Sequence, residues 1–163
     1  AVVRYGNVMG SRGSVVPFWQ AKIQAQEPLP ITDRRMTRFW ITLDQAVRFV
    51  VDSFDQMSGG ELYVPRIPSM KIVDLVDALQ PGYPTLEIGI RPGEKLHEEM
   101  VSSDDSYRTI KQDDRYIVMP TIAEWGFVPV EGDRVPPGFS YRSDTNDQWL
   151  SPADLRAALN LDA

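Results

Sequence analysis

Thr42-Leu43-Asp44-Gln45-Ala46-Val47-Arg48-Phe49-Val50-Val51-Asp52-Ser53-Phe54-Asp55-Gln56-Met57-Ser58-Gly59-Gly60-Glu61-Leu62-Tyr63-Val64 reads as a helix followed at once by a strand. Thr42 and Gln45 form a capping box, in which hydroxyl and amide satisfy each other's free backbone N–H groups. Leu43, Val47, Val50, Phe54 and Met57 then recur at spacings of four, three, four and three. That period predicts one amphipathic helix with these side chains on its inner face. Gly59-Gly60 ends it, and residues 61–64 resume as a strand.

The alternation continues outward in both directions. Ser69 is read as the cap of a second helix, with Ile72, Leu75, Val76 and Leu79 inside and Pro81-Gly82 as the stop. Residues 86–90 read as a short apolar strand, and Pro92-Gly93-Glu94 as the start of a third helix. Toward the N-terminus, residues 1–5 read as a short strand with a tight turn at Gly6-Asn7. A small polar loop, Asn7 to Ser14, leads into a helix capped by Ser14 and carrying Val15, Val16, Phe18, Trp19 and Ile23. Strands alternating with helices predict an α/β fold. From Ser102 the composition turns acidic (Asp104, Asp105, Asp113, Asp114), with one apolar segment at 116–119 and a Pro/Gly-rich stretch at 127–139. This part is expected to be a surface extension. Ser151-Pro152-Ala153-Asp154 predicts a terminal helix through Leu159.

A length of 163 residues with 42% hydrophobic and 25% charged residues is the composition of a soluble globular chain. The net charge of −6 offers no cationic field, so nucleic acid is not an expected partner. With no cysteine, disulfides and thiolate metal sites are excluded. No apolar run is long enough to span a bilayer and no signal-type segment opens the chain, so a cytoplasmic location is expected. The chain opens on Ala1 and a strand, which is read as truncation of a longer polypeptide. A sheet edge and apolar surface left open in that way are expected to make the isolated chain associate, with Val2-Val3 and the helix bearing Phe18 and Trp19 losing partners.

Candidate chemistry lies in binding groups. The lone histidine, His97, sits among Glu94, Glu98 and Glu99 and reads as a solvated helix face, with no second ligand to make a metal site. Of 17 basic residues 13 are Arg, a side chain suited to bidentate phosphate contacts, although genome base composition explains the same excess. Arg4, Arg12, Arg38 and Arg91 are read at strand ends or in loops. Together they could converge on a diphosphate; singly each is an ordinary surface arginine. The strand, loop, helix order around residues 2–15 leaves helix N–H groups free for an anion. Asn7 offers both a donor and an acceptor, or is simply a turn residue. Phe139, Ser140, Tyr141, Arg142, Ser143 and Asp144 could stack on and hydrogen-bond a base or sugar. By physical reading alone, this is a phosphoryl-ligand-binding α/β domain.

Long motifs then add a resemblance. Arg4-Tyr5-Gly6-Asn7-Val8-Met9-Gly10-Ser11-Arg12-Gly13-Ser14-Val15, Pro30-Ile31-Thr32-Asp33 with Arg35-Met36-Thr37-Arg38-Phe39-Trp40-Ile41-Thr42, Val64-Pro65-Arg66-Ile67-Pro68-Ser69-Met70-Lys71, Gly89-Ile90-Arg91-Pro92-Gly93-Glu94-Lys95-Leu96-His97-Glu98 and Tyr141-Arg142-Ser143-Asp144-Thr145-Asn146-Asp147-Gln148-Trp149-Leu150 occur in one order. They resemble the inverting UDP-N-acetylglucosamine 4,6-dehydratases of pseudaminic acid and capsule biosynthesis, which are extended short-chain dehydrogenase/reductases. The resemblance implies a Rossmann-type NADP domain joined to a smaller domain that clasps the UDP-sugar. On it, residues 1–163 are the C-terminal part of such an enzyme, mainly the substrate subdomain.

The same resemblance implies UDP-N-acetylglucosamine as partner, NADP held mainly by the absent N-terminal half, and a homo-oligomer. Asn7, Ser11, Arg12, Gly13, Ser14, Val15, Arg38 and Arg91 match its UDP-sugar contacts, with Tyr141, Arg142, Ser143 and Asp144 as further candidates. The family's Gly-rich dinucleotide turn and Tyr-x-x-x-Lys pair are expected upstream of Ala1, so no catalytic residue and no activity are expected of this chain alone. Gly10-Ser11-Arg12-Gly13 does not match that turn. Two further readings stand beside this one: a UDP-sugar 4-epimerase, which shares the Arg-x-x-Asn turn, and a non-catalytic UDP-sugar-binding module.

Overall fold

The computed structural model describes residues 1–11, 13–122 and 130–161. In chain order the elements are β1 (Val2–Val3), β2 (Asn7–Val8), α1 (Val15–Gln24), β3 (Leu29–Ile31), β4 (Thr37–Ile41), α2 (Leu43–Gln56), β5 (Leu62–Pro65), β6 (Ser69–Lys71) and α3 (Ile72–Leu79). Then follow β7 (Thr85–Glu87), β8 (Glu99–Val101), a 3-10 turn (Ser103–Arg108), β9 (Thr109–Lys111), β10 (Arg115–Val118), β11 (Asp133–Arg134), β12 (Tyr141–Arg142) and α4 (Pro152–Ala158). The class is mixed α/β.

Its frame is a five-stranded sheet in the order β1-β5-β10-β9-β11, with β1 parallel to β5 and the other pairs antiparallel. The chain crosses from β1 to parallel β5 through α2, as the strand-helix-strand pattern requires. Alternation along the strands sends Tyr63 and Ile117 to the face where Phe49 of α2 packs. Val64, Tyr116 and Val118 point the other way, into a cluster with Phe39, Met100, Val101 and Tyr141. A third cluster joins α1, α3 and α4 to β3 and β4 through Trp19, Leu29, Ile31, Trp40, Leu75 and Leu155.

A smaller sheet, β2-β4-β6, rises from this frame with β2 parallel to β4 and β6 antiparallel to it. Gly6 is required there by close approach, since a Cβ at that position would lie 2.6 Å from the Cβ of Phe39. The capping boxes at Thr42/Gln45 and Ser151/Asp154 both form as their spacing predicts.

Several expectations are corrected. The buried face of α2 is Ala46, Phe49 and Ser53, whereas Leu43, Val47, Val50 and Phe54 are exposed. Ser53 can lie inside because its hydroxyl donates to the Phe49 carbonyl at 2.6 Å, and α2 therefore carries apolar side chains on two faces. Ser69 is no cap: it is buried in β6, and α3 begins after Lys71. Residues 92–98 form turns in place of a third helix, because Gly93 at φ 82° breaks helical geometry immediately after Pro92. The strand here is Thr85–Glu87, so only Leu86 and Glu87 of the 86–90 segment belong to it, and Leu86, Ile88 and Ile90 are exposed.

The acidic region is no surface extension, since β10 is the middle strand of the large sheet and is buried at every position. Its charge misleads because Arg115 turns back on Asp114 through two hydrogen bonds. Residues 127–129 of the Pro/Gly-rich stretch lie outside the described residues. Trp19 keeps its partners, being 1% exposed with its indole N–H donated to the Pro30 carbonyl. Phe18 and Val2 are the exposed ones.

Candidate functional site

Where β2 and β4 run side by side, pairing Asn7 with Trp40 and Val8 with Ile41, the chain leaves the sheet into the loop before α1. A cavity of about 390 Å³ opens between that loop, β4 and the turn at residues 91–94. Asn7, Ser11, Gly13, Ser14, Val15, Arg38 and Arg91 line it together, over an apolar floor that includes Met36, Trp40, Met70 and Ile72. Seven of the twelve site residues read from the sequence thus converge; Arg12 lies outside the described residues. Asn7 belongs to a short strand, not a turn, and Arg38 is the second residue of β4, close to its start.

The cavity suits an anion at two points. Ser14 caps α1 without a side-chain hydrogen bond, and its hydroxyl oxygen is buried with no partner among the described residues. The N–H groups of Val15 and Val16 have no intrahelical acceptor and sit at the positive end of the helix dipole, whereas Pro17 has no N–H and Phe18 donates to the Ser14 carbonyl. Arg38 supplies the second point. Its Nη1 donates to the carbonyls of Thr37 (2.8 Å) and Leu96 (3.1 Å), which fixes the guanidinium plane. Nη2 stands 3.9 Å from Glu94 and Nε 3.9 Å from Glu98. Both separations exceed a hydrogen bond, so donor capacity is left for a ligand.

Glu94, His97 and Glu98, read in the sequence as a solvated helix face, divide in the structure: Glu94 lines the cavity, while His97 and Glu98 stand behind its lining. Glu94 accepts from Thr32 Oγ1 at 3.2 Å and from the Arg91 N–H at 3.3 Å, closing the turn that carries Arg91. His97 Nδ1 lies 2.8 Å from Thr37 Oγ1, which is 2.7 Å from Ser143 Oγ. Ser143, fully buried, also accepts the Glu98 N–H at 2.9 Å. This polar seam fastens residues 94–98 to β4 beside Arg38. The signal in the sequence was the even spacing of Glu94 and Glu98, which fits a turn gripping two neighbours as well as it fits a helix face.

Glu98 is half-buried. Burial pushes its carboxyl above the usual glutamate range, against the lowering effect of the Phe39 N–H, Arg38 and Asn7.

The structure does not bring residues 141–144 to the cavity. Tyr141 is buried against Phe39 and Tyr116, at centroid distances of 4.6 and 4.9 Å. Its hydroxyl donates to the Ile67 carbonyl (2.8 Å) and accepts the Ile67 N–H (2.9 Å), and burial raises its pKa. Arg142 is held by both oxygens of Asp144, and Ser143 belongs to the seam. Arg4 is also spent elsewhere, donating to the Met100 carbonyl at 2.8 Å. It lines a second cavity of about 300 Å³ with Tyr5, Lys95, Glu98 and Glu99, and Asn7 is the residue shared by both cavities.

The titratable side chains lining the larger cavity, among the described residues, are Arg38, Arg91 and Glu94. They can grip and orient an anion. The spacing Tyr-x-x-x-Lys does occur at Tyr107 and Lys111, but on the 3-10 turn and β9, with both side chains exposed and neither lining a cavity described above. Among the described residues no cluster of His, Cys, Asp and Glu could hold a metal ion, and no helix is long and apolar enough to cross a membrane.

Comparison with known proteins gives this geometry a family. The chain is 50% identical over 98% of its length to the UDP-N-acetylglucosamine 4,6-dehydratase (inverting) of Campylobacter jejuni, of which it covers 51%. It is 39% identical over 71% of its length to a UDP-glucose 4-epimerase of Rickettsia canadensis, covering 35% of that protein. The crystal structure of Pen from Bacillus thuringiensis superposes with a TM-score of 0.80 at 31% identity, over 99% of this chain and 48% of that one. The chain thus spans about half the length of the first of these relatives and about half of the solved structure. A family profile described as "Polysaccharide biosynthesis protein" matches residues 1–120, and the chain belongs to that family.

Proposed function

We propose that this chain is the substrate-gripping part of an NADP-dependent, C5-inverting UDP-N-acetylglucosamine 4,6-dehydratase. The enzyme would act in the cytoplasm as a homo-oligomer, early in nonulosonic acid or surface-polysaccharide synthesis. The observation that carries the proposal is the convergence of Asn7, Arg38, Arg91 and the start of α1 on one cavity, a set of donors that matches a diphosphate.

In this reading Arg38 and Arg91 take the diphosphate, the α1 N–H groups and the Ser14 hydroxyl add donors, and the apolar floor excludes water around the nucleoside. The dehydration needs a transient ketone at C4, which makes the C5 proton acidic enough to leave before water is lost across C5 and C6. The sugar must therefore be held in one pose throughout, and this grip is the chain's contribution. The nicotinamide supplies removal and return of hydride. Residues 10–13 do not fit a dinucleotide, having two glycines where the fingerprint has three, so NADP is assigned to sequence outside this chain, as are the proton-transferring groups. The full-length protein incubated with UDP-N-acetylglucosamine is expected to yield a 4-keto-6-deoxy sugar that absorbs in alkali. A 4-epimer as sole product would replace dehydratase with epimerase, and binding without turnover would leave a binding module.

A further inference from the structure

Glu98 does not line the larger cavity, yet its carboxylate stands behind two residues that do. Oε2 accepts the Phe39 N–H at 2.8 Å, which anchors the carboxylate to β4. Oε1 is thereby directed between Asn7 Nδ2, at 3.5 Å, and Arg38 Nε, at 3.9 Å. Asn7 comes from β2 and Arg38 from β4, and in the described contacts Glu98 is the acidic residue that both approach. An asparagine amide whose nitrogen faces a carboxylate cannot profitably flip, because its own oxygen would then meet the same negative charge. The amide keeps a second N–H for an anion, while Arg38, drawn toward Glu94 on one side and Glu98 on the other, is kept from turning away.

We infer that Glu98 is a positioning residue, whose carboxylate orients the Asn7 amide and the Arg38 guanidinium as donors toward a diphosphate in the larger cavity. This rests on the nucleotide-diphosphate reading of the site given above. A neutral side chain of the same shape would fill the space equally well, and a glutamine could donate its own N–H to the Asn7 oxygen and so stabilise the flipped amide. Burial of the charge works against Glu98 itself, a cost to the fold that a neutral side chain in its place would not incur.

The test is UDP titrated calorimetrically into the full-length protein, with thermal melting in parallel. Glu98→Gln is expected to weaken UDP about tenfold, a change of about 1.4 kcal/mol, while Tm stays level or rises. In an Asn7→Ala background the same substitution is expected to cost clearly less, because the amide it orients is gone. An unchanged dissociation constant for Glu98→Gln, with Arg38→Ala still losing affinity, overturns the positioning role and leaves the binding site standing. A lowered Tm with a fully additive loss in the Asn7→Ala background also overturns it, as a merely structural effect. A wild-type protein that does not bind UDP removes the site reading and this inference together.

Discussion

The cavity end of the chain and the β1–α2 side depart from an ordinary protein surface in opposite senses. Around the cavity, charge is drawn inward: the Arg38 side chain is only 14% exposed and lies between two carboxylates. On α2, apolar groups are turned outward, with Phe54 70%, Leu43 61% and Val47 53% exposed, and Val2 of the edge strand 61%. A self-sufficient globule avoids both. The inward charges are organised by backbone carbonyls and side-chain hydrogen bonds, as the proposed anion site requires. The outward apolar face has no such organisation and asks only to be covered.

The comparison is broken most severely at Arg38. Arg38→Ala removes the fixed guanidinium and leaves Glu94 and, behind it, Glu98 without the cation that stands between them. UDP binding to the full-length protein is expected to weaken by about 1.5–3 kcal/mol, or roughly ten- to a hundredfold, the worth of hydrogen bonds to charged groups. Arg91→Ala, at an exposed position, is expected to cost less, and NADP binding is expected to change little in either variant. Calorimetry with both ligands checks this, and equal losses for UDP and NADP would deny the cavity its assigned ligand.

A second prediction sets one carboxylate from each region against the other. Glu61, on the β5 side, is pulled up by burial, but the N–H groups of Gly59, Ser58 and its own residue outweigh this and hold it below the usual glutamate range. Its stabilisation is therefore full above the unfolded glutamate pKa and is lost as pH falls through the lower folded value. Glu98 has the opposite sign: its burden is present at neutral pH and is relieved as pH falls through its raised value. Glu61→Gln is expected to destabilise at pH 7 by about 1–3 kcal/mol, since one of two half-buried hydrogen bonds loses its charged acceptor, with the deficit shrinking in acid. Glu98→Gln should show no deficit at pH 7. Denaturant melts of both variants across pH 4–7 decide, and parallel curves would mean that the two carboxylates are not the opposites their surroundings make them.

Legibility in the sequence also divides along this line. Local signals were sound: the capping boxes at Thr42 and Ser151 and the positions of α1 and α2 follow from residues a few places apart. Seven cavity residues were found because motif resemblance, not spacing, linked residues as distant as Asn7 and Arg91. What stayed hidden depends on contacts over long separations. Ser143 meets Thr37 across the chain, so Tyr141 to Asp144 read as a polar loop although they are a fastening. Arg115, Asp114 and their neighbours read as surface because an ion pair formed between adjacent residues hides charge from a composition count. The stripe on α2 was identified correctly as apolar and placed on the wrong side, because a helix with two apolar faces gives a period without saying which face meets this sheet.

That ambiguity yields the smallest expected effect on stability. Replacing Leu43 with Lys and Phe54 with Gln alters only side chains that already face outward, so the folding free energy of the chain should move by no more than about 0.5 kcal/mol per site. Association should respond strongly. The outward stripe, with the unpaired edge of β1, is apolar enough to draw the isolated chain into oligomers or aggregates, and the two polar side chains should shift its sedimentation profile toward monomer. In the full-length protein the same pair is expected to be harmful if the remaining half covers this face, since two polar groups would then be buried without partners. Sedimentation of the isolated chain and melting of the full-length protein, read on the same double variant, give the contrast. A monodisperse wild-type chain with cooperative melting would show that the stripe is tolerated uncovered, and would remove the main structural reason for treating these residues as part of a larger protein.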